Sequence, residues 1–152
     1  MQLSDLLNSG NPQLQAYLDD SKELYDYLDV TLLSATVDDS LKSFIFEFTP
    51  ASRNQSYKDV IHGGIVMTYL DSVCGVLALA YATSNRKKIV FSKHFECDFK
   101  DKMVPGILYR AYAEITYTER NVIITKGRIL DFSNGEDNAK LIIDCKLELK
   151  IK

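Results

Sequence analysis

Between Ile65 and Thr83 the chain reads IVMTYLDSVCGVLALAYAT, nineteen residues with a single charge, Asp71. A helix on the surface of a globular protein keeps a polar face, and this run barely has one. It is therefore either buried on all sides or long enough to cross a membrane. Either outcome dictates what the remainder of the chain has to do.

The remainder reads as strands. Asp29 to Val37 and Leu41 to Phe48 come first, with Phe44, Phe46 and Phe48 alternating with Ile45 and Glu47. Asp38-Asp39-Ser40 between them suits a hairpin turn, and Pro50 ends the second run. Ala51 to Asp59 is polar and reads as a loop. Beyond the apolar run lie four more β-like segments: Ile89 to Lys100, Ile107 to Thr118, Val122 to Phe132 and Ala139 to Ile151. Turn signals join them at Val104-Pro105-Gly106, Glu119-Arg120-Asn121 and Ser133-Asn134-Gly135. In the first of the four, simple alternation puts Phe91, Phe95, Cys97 and Phe99 on the core face and Ser92 on the other.

Strands with one apolar face need an apolar cover, and the Ile65–Thr83 helix supplies it. Asp71 argues against a membrane, where a mid-span aspartate costs about 2.5–3.5 kcal/mol. The expected architecture is α+β: a curved antiparallel β-sheet wrapped around a long buried central helix. The first 28 residues read as an extra N-terminal helical segment. Asn11 is placed as N-cap, Pro12 sits at the first helical position, and Leu14, Tyr17, Leu18, Tyr25 and Leu28 form one stripe. Residues 29–152 make a single domain, consistent with a 152-residue chain that has room for one substantial core.

Composition excludes some functions. Eighteen basic against 21 acidic residues leave a net charge of −3, with no electrostatic footprint for nucleic acid. Cys74, Cys97 and Cys145 are far apart and odd in number, and the N-terminus lacks the pattern of a signal peptide. Reduced thiols in a cytoplasmic protein are expected, with the cysteines acting as small core hydrophobes rather than redox groups.

Chemistry concentrates at residues 62–75, HGGIVMTYLDSVCG. Paired glycines at a helix N-terminus let a ligand approach the backbone, whose first N–H groups point outward. The helix dipole adds partial positive charge, so this point suits an oxyanion, a phosphate or a polarised carbonyl. Asp71 adds a carboxylate in an apolar helix, costly unless solvated or hydrogen-bonded. Gly63 and Asp71 lie eight residues apart, about 12 Å along a straight helix. A reacting carbonyl has to sit about 3 Å from both its oxyanion donor and the attacking group. One chain does not readily supply both. Antiparallel helices of two chains do, with Gly63 of one beside Asp71 of the other, so the spacing favours a dimer with sites at its interface.

His62-Gly63-Gly64 with an acid nine residues after the histidine, set in strand–strand–helix–four strands, resembles the hotdog-fold thioesterases. The closest likeness is to the phenylacetate-pathway (PaaI-type) branch of the four-hydroxybenzoyl-CoA thioesterase-like superfamily. It covers roughly Asp29 to Lys152, including Phe91-Ser92-Lys93 and Val104-Pro105-Gly106, where that family has its central strand and following turn. The resemblance implies an acyl-CoA thioesterase, acting as a homodimer or as a homotetramer of paired dimers. It implies that the Gly63 N–H polarises the thioester carbonyl and that Asp71 of the partner subunit is general base or nucleophile. Ser92 would help orient water, Gly64 would belong to the same glycine turn, and His62 would be structural. The family's Asn or Gln about six residues before the histidine falls here on Ser56, with Gln55 and Asn54 just before it as substitutes.

Hydrolysis needs water, an oxyanion donor and a carboxylate, so no cofactor or metal is implied. His94 and Cys97, three apart on a strand, face opposite ways and do not make a metal site. No Gly-x-Ser-x-Gly elbow is present. Arg86-Lys87-Lys88 suits a helix C-terminus, although this cluster or Arg53 could meet coenzyme A phosphates. The alternative function is a non-catalytic hotdog module that binds acyl thioesters as a sensor or scaffold. A hydratase or dehydratase is a third, and it would need a catalytic histidine.

Overall fold

The structure is a computed structural model describing residues 16, 19–20, 22–28, 34–37, 42–83 and 89–152. The expected N-cap Asn11 with Pro12, the turn at Asp38-Asp39-Ser40 and the Arg86-Lys87-Lys88 cluster lie outside the described residues. Of the expected N-terminal helix, α1 (Lys22–Leu28) is present.

Alternating Phe44, Phe46 and Phe48 produce a strand buried on every second residue, β2 (Ser43–Phe48), paired antiparallel with β1 (Ser34–Val37). The expected loop after it is partly ordered. A 3-10 turn, Ser52–Asn54, leads into a small hairpin of β3 (Gln55–Tyr57) and β4 (Val60–Ile61), with Asp59 at φ 59° in its turn. The main helix α2 (Gly63–Thr83) follows, and then β5 (Val90–Phe99), β6 (Tyr109–Glu119), β7 (Val122–Asp131) and β8 (Lys140–Ile151). The turn signals fall between these strands, and Gly106 adopts φ 77°, a left-handed conformation that glycine takes without steric cost.

The six long strands form one antiparallel sheet in the order β1-β2-β6-β7-β8-β5. After β2 the chain crosses the sheet through α2 and re-enters at the opposite edge as β5. β6 then returns to pair with β2. Helix α2 packs on β2, β5, β6, β7 and β8, so the sheet wraps it as expected. It has the length and apolarity to cross a membrane, yet 67% of its apolar window is buried inside the fold. Leu70, Val73, Cys74 and Leu77 face Phe48, Ala111, Ile129, Ile143 and Leu147 in one continuous core. At Gly127 on β7 the helix comes unusually close. A Cβ there would sit 2.9 Å from both the Cys74 and Cys145 sulfurs.

Two expectations need correction. The helix is not buried all round: Gly64 and Asp71 are exposed and Thr68 and Gly75 half-buried, a stripe spaced four, three and four residues apart. Glycines and a threonine hide such a stripe inside an apolar run. Simple alternation also fails on β5. Ser92 pairs with Leu149 and His94 with Glu148, so Lys93 is an extra, bulged residue that reverses the faces. Ser92 therefore shares the helix side with Phe95 and Cys97. Phe91, expected in the core, is 38% exposed beneath the Lys152 ammonium.

Candidate active site

The turn before α2 is organised by His62. Its carbonyl accepts the Ile65 and Val66 N–H groups at 2.9 and 3.1 Å. Its Nδ1 accepts the Gly64 N–H at 3.0 Å, which places an imidazole proton on Nε2. A histidine thus does the work usually given to an N-cap Ser or Asp. Three of the helix's four leading donors are satisfied by this one residue. The fourth, the Gly63 N–H, finds no acceptor among the described residues. It stands at the positive end of a 21-residue helix, where a carbonyl oxygen or oxyanion is favoured.

Gly63 is also where the sheet approaches. A Cβ there would lie 3.5 Å from the Phe99 ring, in ordinary contact, and Phe99 itself is 49% exposed at the end of β5. Two turns further along α2, Asp71 faces solvent and accepts a hydrogen bond from Ser92 Oγ at 2.6 Å. The bulge at Lys93 makes this contact, because only the reversed face directs Ser92 at the helix. Asp71 is thus solvated and hydrogen-bonded in the protomer, and carries no burial cost there.

The three candidates before the histidine separate. Asn54 is buried (6% exposed), and its carbonyl accepts the His62 N–H at 2.9 Å, which sets it beside the turn. Gln55 closes its own loop, donating to the Ser52 carbonyl at 2.8 Å and accepting the Asp59 N–H at 2.6 Å. Ser56 Oγ donates to the Val60 carbonyl at 3.4 Å. Arg53, considered for phosphates, donates to the Asp26 carbonyl of α1 at 2.5 Å. Gly64 is held by His62 as described. His94 bonds Glu96 Oε1 at 2.9 Å on the solvent side, while Cys97 packs against the core.

The structure therefore sets two groups of candidate residues along one edge. An unoccupied N–H at Gly63 lies by the Phe99 end of β5, and an Asp71–Ser92 pair lies at its other end. The Asp71–Ser92 contact and the proximity of Phe99 to Gly63 were both invisible to strand alternation. A polar Ser-Lys-His run on a largely exposed edge strand was the only hint of the bulge.

The thioesterase superfamily is the family whose model matches the sequence, over residues 58–137. No curated protein matches it. Several solved structures share its fold. A thioesterase family protein from Silicibacter pomeroyi superposes with a TM-score of 0.72 at 18% identity, covering 93% of this chain and 98% of that one. The PaaI protein of the Escherichia coli phenylacetic acid degradation operon gives 0.72 at 11% identity, with 92% and 91% covered. A hypothetical thioesterase from Streptococcus pneumoniae TIGR4, solved with coenzyme A, gives 0.65 at 10% identity, with 81% and 84% covered. The wrapped sheet and central helix are the hotdog fold.

Proposed function

Because the chain belongs to the thioesterase superfamily, we propose that it is a cytoplasmic enzyme that hydrolyses an acyl-CoA thioester to the free acid and coenzyme A, at sites built by two copies together. The observation that carries this reading is the division of the machinery between the two ends of β5. Gly63 offers an uncommitted N–H at one end, and Asp71, aligned by Ser92, lies at the other. About 12 Å of helix axis separates them within one chain.

Strand β5 is a sheet edge, ten residues long, and such edges pair readily with another chain. Antiparallel pairing about a two-fold axis between Phe95 and Glu96 would bring the Phe99 end of one strand to the Ser92 end of the other. Gly63 of one protomer then meets Asp71 of the partner subunit. The exposed stripe of α2 becomes interface, and the Asp71 carboxylate becomes enclosed only at that point.

In this site the thioester carbonyl oxygen accepts the Gly63 N–H, and the helix dipole favours the charge that develops on it. The Asp71 carboxylate takes a proton from water as the water oxygen adds to the carbonyl carbon. Alternatively it adds directly and forms an anhydride that water opens. Collapse breaks the carbon–sulfur bond, and the departing thiolate of coenzyme A takes up the proton. Ser92 holds the carboxylate orientation. His62, its Nδ1 committed to Gly64, is a positioning residue. The coenzyme A held by the pneumococcal relative supports a coenzyme A thioester as the substrate class.

The test is thiol release from a panel of acyl-CoA thioesters by the native chain and by Asp71→Asn. A fall of about 10²–10⁴-fold in kcat is expected from loss of the base. Unchanged turnover would remove Asp71 from the mechanism, and saturable binding without turnover of any thioester would make the protein a binding module.

A further inference from the structure

Helix α2 carries a glycine in its interior, Gly75, that packing within its own chain does not explain. Glycine is the least favourable helix-interior residue after proline, so its presence there needs a reason. At Gly127 the reason is contact, since a Cβ would meet two sulfurs at 2.9 Å. At Gly75 a Cβ has nothing within 4 Å, and the backbone is not in the left-handed region. The residue is half-buried, with open space over its backbone.

The place of that space is specific. Gly75 lies one turn beyond Asp71 on the same face, about 6 Å further along the helix axis. The face continues as Ala78, Leu79 and Ala82, all buried, so no polar side chain follows Asp71 on it. On β5, Val90 stands two residues before Ser92 on the helix side and packs against the core. In the dimer proposed above, the partner's helix starts beside Asp71 and runs back past Thr68. It does not pass over Gly75, so this space stays open when the carboxylate becomes enclosed.

We propose that Gly75 is a specificity-determining residue, its missing side chain opening the floor of a pocket for the far end of the acyl group. This rests on the hydrolytic reading above. With the thioester carbonyl carbon at the Asp71 carboxylate, one arm of the substrate runs over Gly75. The side chains on that face offer neither donor nor acceptor. The amides of the pantetheine arm would lose hydration there without gaining partners. An apolar acyl group has no such cost and gains an apolar wall. An acetyl group ends short of Gly75. The ligand class is therefore an apolar acyl group that reaches at least one helical turn past the carboxylate.

The experiment measures kcat/KM for acetyl-CoA, hexanoyl-CoA and 3-phenylpropanoyl-CoA with the native chain, Gly75→Ala and Gly75→Leu. The native chain is expected to prefer at least one of the two extended thioesters. Gly75→Leu should lower its preference for that thioester over acetyl-CoA by about tenfold or more, and Gly75→Ala by a smaller factor. Because the added methyl meets open space in a helix, Gly75→Ala should also raise the thermal midpoint. Sedimentation should give both variants the oligomeric state of the native chain. An unchanged preference in both variants, or a native preference for acetyl-CoA, would overturn the assignment while leaving the hydrolytic reading intact. Dissociation of the Gly75→Ala protein would mean that a second copy covers Gly75, and would overturn it too. A native chain inactive on every thioester would remove the hydrolytic reading and this inference together. If Gly75→Leu fails to fold, Gly75→Ala decides.

Discussion

Helix α2 reads as one apolar run, yet its two halves have different surroundings. From Gly63 to Ser72 the exposed Gly64 and Asp71 interrupt the buried positions, and the half-buried Thr68 lies between them. From Val73 to Ala82 almost every side chain is enclosed, with Val73, Cys74, Leu77 and Ala78 at 0% exposure. The first half runs past the edge strand β5, which has no outer neighbour among the described strands. From the second half, Cys74 packs closely under Gly127 of β7. Sequence hydrophobicity already separates them, since Gly63, Gly64, Thr68, Asp71 and Ser72 all fall in the first half. What differs in the fold is how completely each is enclosed, and the candidate groups lie in the more open half.

Substitutions in the two halves should therefore separate rate from stability. After Asp71→Asn, the largest effect is expected from Gly63→Pro. Proline is tolerated at the first helical position, so the helix stays while the N–H is lost. Loss of one oxyanion donor predicts a drop of about 10²–10³-fold in kcat with little change in thermal midpoint. Mixing Gly63→Pro with Asp71→Asn sharpens the comparison. A heterodimer of the two keeps one site with both groups intact, so activity should return on mixing and refolding two inactive proteins. No recovery from well-mixed dimers would mean that each chain builds its own site.

Next in size, and opposite in kind, is Gly127→Ala. The added methyl meets the Cys74 and Cys145 sulfurs at 2.9 Å and Leu70 at 3.1 Å, inside the core. Overpacking predicts a loss of about 1–3 kcal/mol in urea-unfolding free energy, with kcat in the remaining folded protein nearly unchanged. Ser92→Ala returns to the open half. Removing a hydrogen bond to a carboxylate should lower kcat roughly tenfold, about 1.4 kcal/mol, while leaving KM and stability near native. The smallest effect is His62→Ala. It takes away a cap worth about 1 kcal/mol, and Asn in its place should restore most of that, since an Asn side chain also accepts at the N-cap.

Elements whose pattern is strong and local were legible in the sequence. Phe44, Phe46 and Phe48 alternate into a buried strand, the turns fall at Val104-Pro105-Gly106 and Glu119-Arg120-Asn121, and the apolar run is the central helix. The glycine turn and the lone aspartate marked the candidate site without its internal contacts. Strand β5 defeated the reading. It lies at a sheet edge with polar residues on both faces, so beyond the polar Ser92-Lys93-His94 run its pattern does not single out Lys93 as an extra residue. One bulge moved Ser92 to Asp71 and turned Phe91 out to Lys152. The ordered hairpin in the expected loop at 51–59 escaped for a related reason: two short strands of polar residues carry no periodic signal.

By itself, then, the sequence determined the main strands and the helix and that one carboxylate would sit inside that helix two turns from its glycine turn, because periodicity and glycine chemistry act over a few residues. Tertiary structure alone decided that Asp71 faces solvent with Ser92 on it, that the Gly63 N–H is left without an acceptor among the described residues, and that the distant Cys74 and Cys145 meet under Gly127. Those facts depend on the register between strands and on how closely helix and sheet approach. Register and approach are settled by packing the whole chain at once, and no window of residues contains them.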